Sequence, residues 1–306
     1  MPDTNAYFLL EWIEFDFELP FEIMDGLILR KCTTEEEEHL IQFWKDASRA
    51  YTGTYKYHCK EGSTTSSVHT EDRDKYRYWY LDYDKDKVKK NYLQYSFNLC
   101  EFILNIGLDA IGKEGKRTSL WHEEPKLYNY FQDEDNIYLT KLSKSSFEEV
   151  KYYYEQIENL DLDKFGNILE ALKSFEETKL LMNKVKFKVM SYFTIIEGLL
   201  THNPIDPTNA DSITRQITSK VDLINKRLDK PIDLNAWFGE ISEKKLFSKL
   251  YAYRSAIAHG LKIDFAGDFQ IFKDEMYILG FIKELAKSTL RASLKEPQLI
   301  NDLKKC

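Results

Sequence analysis

The spacing of apolar residues changes near position 160, and that change constrains the fold more than any other feature of the chain. From Lys164 onward apolar residues recur every three or four positions. Phe165, Ile168, Leu169, Leu172 and Phe175 form one series, and Val185 to Leu200 form a second. This spacing puts apolar side chains on one face of an α-helix. Asn203-Pro204-Ile205-Asp206-Pro207 stops the second series, because proline lacks an amide donor and restricts the residue before it. Ile213, Ile217, Val221, Ile224 and Leu228 mark a third helix, ending before Pro231. Leu246, Leu250, Tyr253 and Ile257 mark a fourth, with Gly260 placed to close it in a left-handed conformation. An extended link, Leu261-x-Ile263-x-Phe265, leads to a last helix through Met276, Leu279, Ile282 and Leu285. The expected architecture is an all-α bundle of about five helices.

The first half reads as mixed α and β. Glu14–Phe21 alternates apolar and charged residues, the period of a half-buried strand. Thr34 and Glu37 have the spacing of a capping box opening a helix through Leu40, Ile41 and Trp44, and Glu35–Glu38 then complement its dipole. Tyr51–Tyr57 and Tyr76–Tyr83 are aromatic strands flanking a polar stretch, Gly62–Thr70, that resembles a long hairpin loop. Their aromatic residues suit packing first and a base-stacking platform second. Asn136–Leu142 reads as a further strand, and Ser145 with Glu148 as a second capping box starting a helix toward Asn159. Asp161–Asp163, with Gly166 soon after, marks the expected boundary. The chain therefore divides into an α+β N-terminal domain, 1–160, and a helical domain, 161–306, as suits its 306 residues.

No apolar run approaches the length that spans a bilayer, and no basic segment followed by an apolar core opens the chain. Cys32, Cys59, Cys100 and Cys306 are scattered, as expected for thiols in a reducing cytoplasm. His58, Cys59, His69 and Cys100 are too irregularly spaced to suggest a metal site. The net charge of −8 is unevenly distributed. Residues 1–150 hold 19 Lys and Arg against 29 Asp and Glu, whereas residues 151–306 hold 24 against 22. A general polyanion binder is excluded by this balance, but a local basic face in the second half is not. Lys184, Lys186 and Lys188, beside the second helix, and Lys262 are the candidate phosphate-guiding residues.

The residues with most chemical potential end the fourth helix: Arg254-Ser-Ala-Ile-Ala-His259-Gly260. Arg117-Thr-Ser-Leu-Trp-His122 has the same spacing, but Gly115 and Pro125 place it in a loop. Gly112-Lys113-Glu114-Gly115-Lys116 lacks the spacing of a phosphate loop. On an ideal helix Arg254 and His259 point about 140° apart, and the glycine allows the tip to unwind. RNA carries its own nucleophile, the 2′-hydroxyl. What its cleavage needs is an acid/base near neutrality and a fixed cation on the phosphorane-like charge. Histidine supplies the first, helped by a helix C-terminus that favours the imidazolium. Arginine supplies the second with a planar fork. The products would be a 2′,3′-cyclic phosphate and a 5′-hydroxyl, with no metal or other cofactor required.

The segment Ser191-Tyr-Phe-Thr-Ile-Ile-Glu-Gly-Leu-Leu200, followed by Leu250-Tyr-Ala-Tyr-Arg-Ser-Ala-Ile-Ala-His-Gly260, resembles the ApeA-like branch of the HEPN superfamily over roughly Lys164–Leu290. The resemblance implies a helical bundle that forms a homodimer through the motif helices, facing one RNA-binding cleft. It implies His259 as acid/base, Arg254 as the phosphate-stabilising residue and Glu197 as the acid that orients Arg254. Ser255 stands where other HEPN branches often carry Asn, Asp or His as a polar helper. The implied activity is a metal-independent endoribonuclease of anti-phage defence, cutting host RNA such as tRNA and causing abortive infection. A phage-derived trigger or an inhibitory protein partner would control it. A second reading of the same residues is a non-catalytic dimerisation or RNA-binding module with a ligand-sensing N-terminal domain.

Overall fold

In the computed structural model the described residues are 5–9, 13–36, 55–59, 66–70, 79–100, 106–109, 140–179, 181, 184–202 and 212–306. They form an α+β region followed by a helical one. The chain divides into two compact units, Met1–Tyr154 and Glu155–Cys306. The division falls inside a helix, a few residues before the expected boundary at Asp161.

In the first unit, strands β1 (Asn5–Leu9), β3 (Phe21–Met24), β4 (Leu27–Lys31), β7 (Trp79–Tyr83) and β8 (Ile106–Asp109) form an antiparallel sheet in the order β3-β4-β7-β1-β8. Its central strand β7 has Trp79, Tyr80, Leu81 and Tyr83 all buried. On β4, Leu27 and Leu29 face the core while Ile28 is exposed, the alternation that a pleated strand requires. Strand β2 (Ile13–Phe15) pairs in parallel with β9 (Thr140–Leu142). Strands β5 (Tyr55–Cys59) and β6 (Ser66–Thr70) pair with each other. Helix α1 (Lys90–Leu99) buries Leu93, Tyr95, Phe97 and Leu99.

Several expectations need correction here. Glu14–Phe21 is not one strand: β2 ends at Phe15 and β3 begins at Phe21, with a bend that includes Pro20 between them. The alternation survives because Phe15, Phe17 and Phe21 all meet the buried ring of Phe147. The period thus reported a shared buried face and not continuous pairing. Part of the supposed loop Gly62–Thr70 is strand β6, whose polar residues earn their place through backbone pairing. The two aromatic segments do not pair with each other, since β7 lies between β4 and β1. Tyr80, at 2% exposure, and Tyr83 are core residues, so they offer no stacking platform. The first capping box is one residue early, with Thr33 Oγ1 accepting from Glu36 N–H and Glu36 Oε2 accepting from Thr33 N–H. The second helix, α2 (Lys144–Glu158), starts from Ser143, whose carbonyl accepts from Ser146 N–H. Leu40, Ile41, Trp44, Tyr51, Gly62, Tyr76, Gly112–Lys116 and Arg117–His122 lie outside the described residues.

The second unit contains α3 (Leu162–Lys179), α4 (Val185–Leu200), α5 (Ile213–Asn225), α6 (Leu234–Phe238), α7 (Glu243–Ala258), α8 (Glu275–Lys295) and α9 (Pro297–Lys305). The buried residues follow the expected spacing except at the start of α8, where Met276 is exposed in the first turn and Leu279 is half-buried, and Ile278 and Phe281 join Ile282 and Leu285 in the core. Phe165, Ile168, Leu172 and Phe175 line α3, and Val189, Tyr192, Phe193, Ile196 and Leu199 line α4. Ile217, Val221 and Ile224 line α5, and Leu246, Leu250 and Tyr253 line α7. Among the described residues two helices exceed the expected five. α6 is a single short turn capped by Asp233, and α9 begins where Pro297 occupies a first-turn position that needs no amide donor. The third helix stops at Asn225, short of Leu228. Leu261–Asp264 is neither helix nor strand.

Candidate functional site

The candidate site lies where α4 meets α7. On α4 the buried stripe includes Phe193 and Ile196, and Glu197 stands at its edge with a side chain only 16% exposed. On α7 the stripe Leu246, Leu250 and Tyr253 faces the core, which leaves Tyr251 and Arg254 together on the flank, three positions apart. Glu197 joins these helices. Its Oε2 accepts from Arg254 Nη2 at 3.2 Å, and its Oε1 accepts from the Tyr251 hydroxyl at 3.0 Å. The Tyr251 ring meets Phe193 edge to face, with centroids 5.8 Å apart. Burial, and then the neighbouring Glu197 carboxylate, push the ionisation of Tyr251 well above that of an ordinary phenol, so the hydroxyl keeps its proton.

Arg254 is incompletely engaged. Among the described residues, Glu197 is its hydrogen-bond partner, and its buried Nε has none. The side chain is 33% exposed, enough to reach a ligand while keeping its anchor. A guanidinium carries five donors, so one bond to a carboxylate leaves capacity for a phosphate.

The tip of α7 is built as the glycine predicts. Gly260 adopts φ 64°, a left-handed conformation. Leu261 N–H donates to Ala256 O at 2.8 Å and Gly260 N–H to Ile257 O at 3.1 Å, the paired bonds of a Schellman closure. His259 is the C-cap, with φ −95° and ψ 5°, and is exposed. Its position outside regular helix frees the imidazole from the angle an ideal helix would impose. Ser255 is exposed as well, and its carbonyl accepts from His259 N–H at 3.0 Å.

The structure therefore joins Arg254 and Glu197 directly and presents Ser255 and His259 on the outer side and tip of the same helix. Three of the lysines lie at the opposite end of α4 from Glu197. Lys184 precedes α4 and is exposed, and Lys186 pairs with Glu275 at 3.4 Å. Lys188 is half-buried, and Lys262 is exposed beyond the tip of α7. Lys186 stands eleven positions before Glu197, about 16 Å along the helix axis, so it can act only on a distant part of a long ligand. Tyr251 is the residue that the sequence reasoning missed. Its spacing from Arg254, on the same helical face, was the available signal. Among the described residues no group of three or more His, Cys, Asp or Glu is placed to hold a metal, and no helix is long and apolar enough to cross a membrane.

No family model, curated protein or solved structure matches the chain.

Proposed function

We propose that the helical unit is a metal-independent endoribonuclease of the HEPN type. The observation that carries this reading is the Glu197–Arg254 bridge between α4 and α7, together with an exposed His259 at the tip of α7. Arg254, held by Glu197 and with donors to spare, is suited to bind the scissile phosphate and the charge that develops on it. His259 exchanges protons with the attacking 2′-hydroxyl or the departing 5′-oxygen. The 2′-hydroxyl oxygen forms its bond to phosphorus as the bond to the 5′-oxygen breaks. The products are a 2′,3′-cyclic phosphate and a 5′-hydroxyl. Ser255, exposed one position after Arg254, is a secondary polar contact for the substrate.

The dimer implied by the HEPN likeness finds support in the outer face of α7. Ser248, Ala252, Ser255 and His259 are all exposed at helical spacing, and the small side chains of the first three permit close approach of a second helix. In this reading two copies of the motif face one RNA, and Lys184, Lys186, Lys188 and Lys262 guide its flanking phosphates. Anti-phage defence with host RNA as target is the biological setting we assign. The N-terminal unit then serves as sensor, substrate selector or restraint.

The test compares the full chain with its His259→Ala variant on total RNA in the presence of EDTA. Cyclic-phosphate ends that appear only with the unmutated protein support the nuclease. Loss of His259 should leave folding unchanged, because the residue is exposed. Cleavage by the variant at the same rate would end the proposal. Absence of cleavage by both, with equal RNA binding, would favour a non-catalytic RNA-binding module.

A further inference from the structure

We infer that Tyr251 is a positioning residue of this site, whose hydroxyl fixes the Glu197 carboxylate and through it the Arg254 guanidinium. The two oxygens of Glu197 are divided between two donors, Tyr251 on Oε1 at 3.0 Å and Arg254 on Oε2 at 3.2 Å. The terminal torsion of a glutamate is broad, so one donor alone leaves the carboxylate plane free to rotate. A second donor on the other oxygen sets that plane. The guanidinium bonded to it then acquires a defined direction.

The support for Tyr251 is itself rigid. Its ring packs against Phe193, four positions before Glu197 on α4, so the same two helices supply both the carboxylate and its holder. Burial, and then the adjacent carboxylate, oppose ionisation of the hydroxyl, which keeps it a donor to Glu197. With both oxygens occupied, Glu197 is not placed to take a proton from RNA. Its role is to orient Arg254, and that role depends on Tyr251. This inference rests on the nuclease reading for what Arg254 touches, but its structural part does not.

Two measurements on the full chain keep those parts separate. The first follows hydrogen exchange at Arg254 Nε by ¹⁵N–¹H spectroscopy, with the signal assigned through Arg254→Lys. This Nε is buried without a partner, so its exchange reports how firmly the guanidinium is held. Tyr251→Phe, which keeps the ring, should accelerate exchange about tenfold while the melting temperature stays within about 3 °C. If that variant does not fold, Glu197→Asp, which withdraws the carboxylate by one methylene, should give the same acceleration. Unchanged exchange in the folded variant overturns the inference, whether or not the protein cuts RNA.

The second measurement is steady-state cleavage. Tyr251→Phe should lower kcat about tenfold with KM changed less than about twofold. In combination with Glu197→Gln it should cost nothing beyond the Glu197→Gln effect. Losses that multiply independently overturn the inference. Accelerated exchange in Tyr251→Phe, in a protein that cleaves no RNA at all, supports the clamp and retires the nuclease reading.

Discussion

Two of the arginine–carboxylate clusters among the described residues, Arg30 in the N-terminal unit and Arg254 in the helical one, differ in a way that separates a structural ion pair from a site with capacity left over. In the N-terminal unit, Arg30 uses all three of its nitrogens. Nε donates to Asp82, and Nη1 and Nη2 donate to the two oxygens of Glu36 at 2.7 and 2.6 Å, with Nη1 also reaching Lys31 O. Its guanidinium also lies over the Tyr80 ring, 5.2 Å from the centroid. Glu36 is bound in turn by the Thr33 amide. In the helical unit, Arg254 has one carboxylate and one engaged nitrogen. Exposure hardly distinguishes them, at 25% for Arg30 and 33% for Arg254. Saturation does: a guanidinium whose three nitrogens are all engaged holds a fold together, whereas one with two unengaged nitrogens beside solvent can accept an anion.

Opposite outcomes are expected from removing each arginine. Arg254→Ala should reduce RNA cleavage about 10²- to 10³-fold while costing about 1 kcal/mol, because Glu197 keeps the Tyr251 hydroxyl as a donor. Single-turnover kinetics and urea unfolding would measure both. Arg30→Ala should do the reverse, costing about 2 kcal/mol because it leaves Glu36 and Asp82 without their shared cation. Its cleavage rate, measured where the protein stays folded, should be close to that of the unmutated chain. Equal effects of the two substitutions on stability would erase the distinction.

A smaller effect tests the tip of α7. Gly260→Ala meets no steric neighbour, so its cost is backbone strain alone, about 1 kcal/mol at φ 64°. Because the strain falls beside His259, cleavage should decline by more than the loss of folded protein explains. The smallest effect is a pH dependence. Burial opposes ionisation of Glu36, but hydrogen bonds from Arg30 and Thr33 outweigh it and hold the carboxyl below its usual range. A depressed folded value stabilises the protein above the unfolded value of about 4.3, and that contribution is lost as pH falls through the folded one. The stability gap between the unmutated chain and Glu36→Gln should therefore be constant above about pH 5 and close in more acidic solution. A gap that widens on acidification would contradict the assignment.

Helix positions were legible where a single element carried the signal. The apolar series from Phe165 to Ile257 gave α3, α4, α5 and α7, and Gly260 gave the closure of α7. Arg254 and His259 were legible as a pair because a helix brings near neighbours in sequence near in space. The strands were read less well. Phe15, Phe17 and Phe21 alternate because one distant ring, Phe147, covers them all, and β6 is polar because pairing with β5 holds it. Neither fact is local.

Sequence alone determined the helical character of residues beyond 160 and the left-handed stop at Gly260. These depend on interactions within a few residues, through periodicity and backbone sterics. Tertiary structure decided which arginine is saturated and which is not, that β7 lies between β4 and β1, and that Tyr251 shares Glu197 with Arg254. Apart from the local Arg30–Glu36 pair, those depend on contacts between residues about fifty or more positions apart, whose geometry emerges only when separate elements pack.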